Sequence, residues 1–254
     1  MKPARVAYVD IETAPNLGWV WGKWEQNVID FKQHWYMLSF AVKWQGERKT
    51  RVHALPDFVG AYARNREDDT ALVHQLHRVF DEADVIIGHN IDKFDIRKTN
   101  ARFVALGLPP PSPYQTVDTL KIARRILDTG CGNALDDLGG YLGVGRKLAH
   151  TGKHLWFACM AGDRKAWATM CKYNIRDVEL LEKVYLKLRP WSKNHPNLAH
   201  YTRAHLHDAC PVCQHEHSTG KGWRYTATGR RQRRVCGKCG HQFSAKFERD
   251  PVPG

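Results

Sequence analysis

The order of segments predicts an α/β domain, a mixed sheet covered by helices, followed by a small cysteine-bearing module. Three observations carry this expectation. Short apolar, β-rich runs come first; strand-like and helix-like runs then alternate; and two CxxC pairs crowd the C-terminal end. With 254 residues, 43% of them hydrophobic, the chain can bury one mid-sized core plus something small, and it does not have a disordered composition.

RVAYVDI (5–11) is a short run suited to a central strand. WVWGKWEQ and MLSFAVKWQ (37–45) read as strands or their connection, and TRVHAL (50–55) as another strand. DDTALVHQLHRVFDEA (68–83) has helical spacing at Leu72, Leu76, Val79 and Phe80. DVIIGHN (84–90) reads as a buried strand ending in a polar loop. FDIRKTNARFVALGL (94–108) is helical up to Gly107, ahead of a proline-rich loop. TVDTLKIARRIL (116–127) starts extended and turns helical, and NALDDLGGYLGV (133–144) is a helix with a glycine-rich end. The last helical stretch, 163–188, allows a break in its middle. Pro190, Pro196 and scattered polar residues make 189–207 a linker.

The net charge is +13, and beyond Pro190 Lys and Arg greatly outnumber acids. A basic excess concentrated in one segment points to a polyanionic partner, foremost nucleic acid. No apolar run reaches the ~18 residues that span a bilayer, so no membrane association is expected. MKPARVAYVDIET lacks a signal-like apolar region, and the paired cysteines suit a reducing compartment, so a cytoplasmic location is expected.

Asp10 and Glu12 stand two apart at the end of the first strand, which puts both carboxylates on one side of the sheet. Side by side, like charges repel and are costly to desolvate, an arrangement that a divalent cation would relieve. Asp95 opens a helix after a buried strand. Asp177 follows Tyr173 by four residues, so the two project from one helical face. Each acid alone has a bland reading as a cap or an exposed strand end.

In combination, DIET, GHNxxxFD and YxxxD, in that order, resemble the tyrosine-bearing branch of the DEDD superfamily of 3′→5′ exonucleases. The resemblance covers roughly 5–188 and is greatest to stand-alone exonucleases encoded by bacteriophages, which would place the protein in a bacterial host cell. It implies a ribonuclease H-like fold over 1–188 and four metal-binding acids, Asp10, Glu12, Asp95 and Asp177. It also implies that Tyr173 orients the attacking water, and that Asn90 and Thr13 face the substrate strand. Two Mg²⁺ or Mn²⁺ ions suit such hard oxygen ligands and the in-line displacement of a phosphodiester. A phenol with a pKa near ~10 is a poor base at neutral pH, so the tyrosine would mostly position the water.

Cys210, Cys213, Cys236 and Cys239 form CxxC–x22–CxxC, the spacing of a tetrahedral structural Zn²⁺ site. The segment 208–247 resembles a zinc ribbon with a hairpin between its knuckles, and 248–254 would be a tail. So short a segment draws much of its folding energy from the metal. His215, His217 and His241 are spare ligands and are read as surface residues. Arg230, Arg231, Arg233 and Arg234 cluster beside Trp223 and Tyr225, a composition suited to single-stranded nucleic acid. Docking to a replication protein is the other reading of the ribbon.

Three further features stay open. WVWGKW (19–24) either walls the site and stacks on a base, packs in the core, or forms a hairpin. Lys147, His150, Lys153 and His154 either contact phosphates or lie in a solvated loop. Cys131, Cys159 and Cys171 are read as small core residues. The resulting expectation is a metal-dependent 3′→5′ exonuclease acting on single-stranded DNA and releasing nucleoside 5′-monophosphates. It would work in replication, repair or proofreading, with a DNA polymerase or replication protein as partner. An exoribonuclease or structure-specific DNA nuclease is the enzymatic alternative, and a nucleic-acid-binding adaptor with an inactive nuclease fold the non-enzymatic one.

Overall fold

The computed structural model describes residues 2–24, 27–202 and 209–249, with side chains described as far as Ala245 in the last strand. The end of the expected linker (203–207), the first residue of the expected ribbon and residues 250–254 of the expected tail lie outside the described residues.

In chain order the elements are β1 (Val6–Thr13), β2 (Leu17–Trp19), β3 (Asp30–Gln33), β4 (Met37–Trp44) and β5 (Arg51–Ala54), then α1 (Val59–Arg64), α2 (Thr70–Glu82), β6 (Val85–Gly88) and α3 (Asp95–Ala105). They continue with β7 (Gln115–Asp118), α4 (Thr119–Ile126), α5 (Leu135–Tyr141), α6 (Lys153–Met160) and α7 (Arg164–Leu188), and end with β8 (Ser218–Thr226), β9 (Gly229–Cys236) and β10 (Gln242–Arg249).

Five strands form one mixed sheet in the order β5-β4-β1-β6-β7. β4 runs antiparallel to β1 and β5, whereas β6 runs parallel to β1 and β7. In the antiparallel half a short connection joins β4 to β5 and the β2–β3 hairpin lies between β1 and β4, while the parallel half is built by crossovers through helices. β1 is central and covered on both faces, which explains its nearly continuous apolar run. Ala7, Val9 and Ile11 join a core with α2, α3 and the first half of α7, while Val6 and Tyr8 join a second core with α4, α5 and the second half of α7. This is the expected α/β fold class, a mixed sheet between helices.

Several local expectations are corrected. α7 is one unbroken helix of 25 residues, because buried side chains recur along it from Ala166 to Leu188. α6 is a separate helix that the sequence reading passed over. WVWGKW is no core element: Leu17–Trp19 pairs with Asp30–Gln33 in a hairpin, and Trp19, Trp21 and Trp24 are exposed. Cys159 is buried and Cys171 half-buried, but Cys131 is exposed in a turn.

The segment after α7 is more firmly packed than a tether. Leu198 is fully buried against the core that contains Tyr8 and Tyr185. His195 Nδ1 lies 2.7 Å from the Pro196 carbonyl, so it carries the proton, and Nε2 accepts the Tyr185 hydroxyl at 2.7 Å. Burial pushes His195 down to about 4, consistent with a neutral ring. Among the described residues, no helix is long and apolar enough to cross a membrane.

Candidate functional site

The site forms where the C-terminal ends of β1 and β6 meet α7. Val6, Tyr8, Asp10 and Glu12 share one face of β1. The first two are buried in the core, and the last two reach the cleft beside α7. Carboxylate oxygens of Asp10, Glu12 and Asp177 lie within 4.8 Å of one another, a grouping that can hold a metal ion. Asp95, at the start of α3, does not join this tight group. Its Oδ1 accepts the Ile11 N–H at 3.2 Å, which fixes it beside β1, close enough to repel Asp10.

Each acid is held by a neighbour. Asn174 donates from Nδ2 to Asp10 Oδ2 at 2.6 Å, and its own Oδ1 accepts the Ser39 hydroxyl at 3.1 Å. Trp156 Nε1 on α6 donates to Glu12 at 3.1 Å. Lys147 Nζ donates to Asp177 Oδ2 at 2.5 Å and to the Tyr173 hydroxyl at 3.0 Å. His150 packs edge-on to Tyr173 and Trp156, with ring centroids 4.7 and 5.1 Å away. Lys147 therefore belongs to the cleft and His150 to its exposed rim, whereas Lys153 and His154 are exposed at the start of α6.

The electrostatics follow from burying four acids with one cation. Burial, then the charges of Glu12, Asp177 and Asp95, raises Asp10 well above the usual carboxylate range. Burial first, then Asp177, pushes Glu12 up to about 8. Asp95 rises to about 7, again chiefly through burial, despite two backbone hydrogen bonds. Asp177 is also raised by burial, with Lys147 opposing. For Lys147 burial works against the charge, but Asp177 and Tyr173 outweigh it and the ammonium is strengthened. Burial, then the Asp177 charge, pushes Tyr173 up from the ordinary tyrosine range, so its phenol stays protonated.

Asn90, two residues beyond β6, has a left-handed backbone, φ 62°, a conformation that asparagine tolerates. Its N–H donates to Asp118 Oδ1 at 3.0 Å, and its carbonyl accepts from Lys93 and Phe94. Asn90 thus shapes the loop that delivers Asp95. Thr13 is half-buried at the irregular end of β1, one residue beyond Glu12. Sequence reasoning missed Asn174, Trp156 and Asp118. A buried polar residue inside an apolar helical stripe was the available signal for Asn174; nothing local marked the other two.

In the cysteine module the four Sγ atoms of Cys210, Cys213, Cys236 and Cys239 gather within 4.8 Å. Cys210–Cys239 and Cys213–Cys236 are each 3.6 Å apart, near the ~3.8 Å edge of a sulfur tetrahedron with Zn–S of ~2.3 Å. The N–H groups of Lys238 and Cys239 point at Cys236 Sγ. None of the three nearby histidines joins this group. His241 is not a surface residue: it is buried, and its Nδ1 donates to the Pro190 carbonyl at 2.9 Å.

The basic strand is split by its pleat. Register places Tyr225 opposite Arg230 and Trp223 opposite Gln232, so Trp223, Tyr225, Arg230 and Arg234 share one face of the ribbon. Arg231 and Arg233 lie on the other face, so the expected single cluster is two-sided. The Arg230 guanidinium lies 4.2 Å from the Trp223 ring centre, and Tyr225 is exposed.

Comparison with known proteins agrees with this architecture. The RNase H superfamily matches residues 7–189, and the chain belongs to that superfamily. Among solved structures, the family B DNA polymerase of the archaeon Pyrobaculum calidifontis is similar, with a TM-score of 0.55 and 19% identity. That likeness covers 75% of this chain and 25% of the polymerase chain, so the chain spans about a quarter of the polymerase's length. No curated protein matches significantly.

Proposed function

We propose that this member of the RNase H superfamily is a metal-dependent 3′→5′ exonuclease of the tyrosine-bearing DEDD type, acting on single-stranded DNA. Convergence of the Asp10, Glu12 and Asp177 carboxylates beside Tyr173 is the observation that carries the reading. The donor set fits divalent cations. It offers only hard oxygens, their burial leaves excess negative charge, and the buried Asp177 Oδ1 has no hydrogen-bond partner among the described residues. Asp10, Glu12 and Asp177 would hold the ion beside Tyr173, and Asp95 would serve a second.

Two bound Mg²⁺ or Mn²⁺ ions supply charge neutralisation on the phosphate and acidify the attacking water. The chain's own groups do the rest. Tyr173, whose oxygen accepts from Lys147, stays protonated and orients the water by hydrogen bonding. Asn174 and Trp156 keep Asp10 and Glu12 from splaying apart. Water attacks phosphorus, the bond to the 3′ oxygen breaks, and a nucleoside 5′-monophosphate leaves. Asn90 and Thr13 line the approach of the terminal nucleotide.

We assign 1–188 to the nuclease domain, 189–207 to its connection and 208–247 to a zinc ribbon with one structural Zn²⁺ on four cysteines. The sulfur spacing supports that metal, and the aromatic-basic face of the ribbon supports nucleic-acid contact. A polymerase or other replication protein as partner rests on the structural likeness alone.

The decisive experiment follows 5′-labelled single-stranded DNA and RNA of equal sequence, with Mg²⁺, with Mn²⁺ and without either, for the parent protein and Asp177→Asn. The expected result is a metal-dependent ladder shortening from the 3′ end, faster on DNA and absent in the variant. Equal or faster RNA cleavage would make the protein an exoribonuclease. Tight, salt-sensitive binding without cleavage would make it an adaptor.

A further inference from the structure

Two cavities outside the carboxylate site share a wall. The larger, about 830 Å³, lies between the segment after α7 and the second cysteine knuckle with the start of β10. The smaller, about 320 Å³, lies between that same segment and the β7–α4 junction. Trp191, Ser192 and Lys193 line both, so the two adjoin along one segment, one cavity opening beside the cysteine module and the other beside Asp118. Asp118 accepts the Asn90 N–H, one hydrogen bond from the loop that carries Asp95.

The chemistry of the two cavities is cationic and aromatic. Lys121, Arg125 and Lys193 line the smaller cavity, and α4 itself carries Lys121, Arg124 and Arg125 without a single acid. Both acids on the wall are already engaged. Asp92 pairs with Lys121 at 2.6 Å, and Asp118 accepts the N–H groups of Asn90, Leu120 and Lys121. Trp191 is 68% exposed where the cavities meet, although Ser192 beside it is buried. A large ring held by a packed segment, open on its face and flanked by cations, suits an unpaired base and its phosphates. A base inside a duplex has no free face to offer it.

We propose that these adjoining cavities form a track for single-stranded nucleic acid, leading from the cysteine module toward the carboxylate site, with Trp191 as a stacking platform and Lys193 and Arg125 as phosphate contacts. Its role in feeding a strand to the site rests on the nuclease reading; its binding of single strands does not. Bases would stack on Trp191 whatever their sequence, so the track favours length over sequence. The polymer is held at a distance from the reacting end, and a short strand does not span the track.

The test measures binding of labelled single-stranded DNA of about 4 and about 16 nucleotides, the range of single-strand site sizes. Asp177→Asn serves as background so that no strand is consumed, and chelators are omitted so that the cysteine module keeps its metal. Trp191 and Lys193 are both exposed, so Trp191→Ala and Lys193→Ala leave the fold intact. Trp191→Ala is expected to weaken the long strand about tenfold and the short one hardly at all. Lys193→Ala should lower the slope of log affinity against log salt by about 0.7. Equal losses for both lengths, or no loss for either variant, would overturn the track. Cleavage by the otherwise unmodified chain separates the two readings. With the track correct, KM for long strands rises in Trp191→Ala while kcat holds. Length-dependent binding without any cleavage would keep the track and remove the nuclease.

Discussion

The carboxylate cleft and the cysteine module meet the same electrostatic problem in opposite ways. Each gathers groups that repel one another once ionised. In the cleft, a sheet packed on both faces supplies the rigidity, and Asn174, Trp156, Lys147 and the Ile11 amide hold the acids in place without an ion. In the module, the cysteines are themselves the core: among the described residues, buried Cys210, Val212 and Cys236 gather only Cys213, Cys239 and Phe243 around them. A metal at the first place would be a reagent added to a finished fold. At the second it would be the fold's centre.

The sharpest way to break this contrast is Cys236→Ser. Loss of one thiolate should abolish amide protection across β8, β9 and β10, leaving the five-stranded sheet protected, as read by hydrogen exchange. Retained protection in the module would mean that its strands hold without metal, and the contrast would fail.

Next in size is Asp10→Asn. It should reduce nuclease turnover about a thousandfold, yet raise the melting temperature of the Mg²⁺-free protein near neutral pH by about 3 °C, because folding no longer has to neutralise an acid whose charged form the site disfavours. A variant that loses both activity and stability would show the acid to be structural.

The smallest effect sharpens the comparison through pH. Glu12 is pushed up to about 8 in the fold, against about 4.3 for a free glutamate. The folded state therefore holds its proton more tightly, and unfolding releases it. The stability this contributes is fully present below the unfolded value and is lost as pH rises through about 8. Melting without Mg²⁺, zinc retained, should accordingly weaken between about pH 6 and about pH 8, and added Mg²⁺ should flatten the curve. A curve that is flat without Mg²⁺ would place the acids in a more hydrated cleft.

Much of the fold was legible because strand and helix patterns are short-range. The two-sided burial of β1 reads as VAYV, and the α2 stripe as Leu72, Leu76, Val79 and Phe80. α6 escaped because its eight residues, KHLWFACM, bury only Leu155 and Cys159 and show no clear stripe. The readings of WVWGKW stayed open because an aromatic run by itself does not say which side faces water; of the three, the hairpin is the one that forms, and it exposes the tryptophans. Arg230 to Arg234 looked like one cluster because sequence distance ignores the pleat, which sends neighbours to opposite faces.

The spacing of the four cysteines was legible by itself, whereas the acids of DIET and the Tyr173–Asp177 pair stood out only through the ordered combination DIET, GHNxxxFD and YxxxD and the resemblance it carries. Folding alone chose the groups that restrain them. Asn174 reaches Asp10 across 164 positions and Trp156 reaches Glu12 across 144. Such pairings leave no periodic trace. They arise when a two-sided sheet and a long helix close a loop and bury what lies between them, and that same closure joins Trp191 to both cavities.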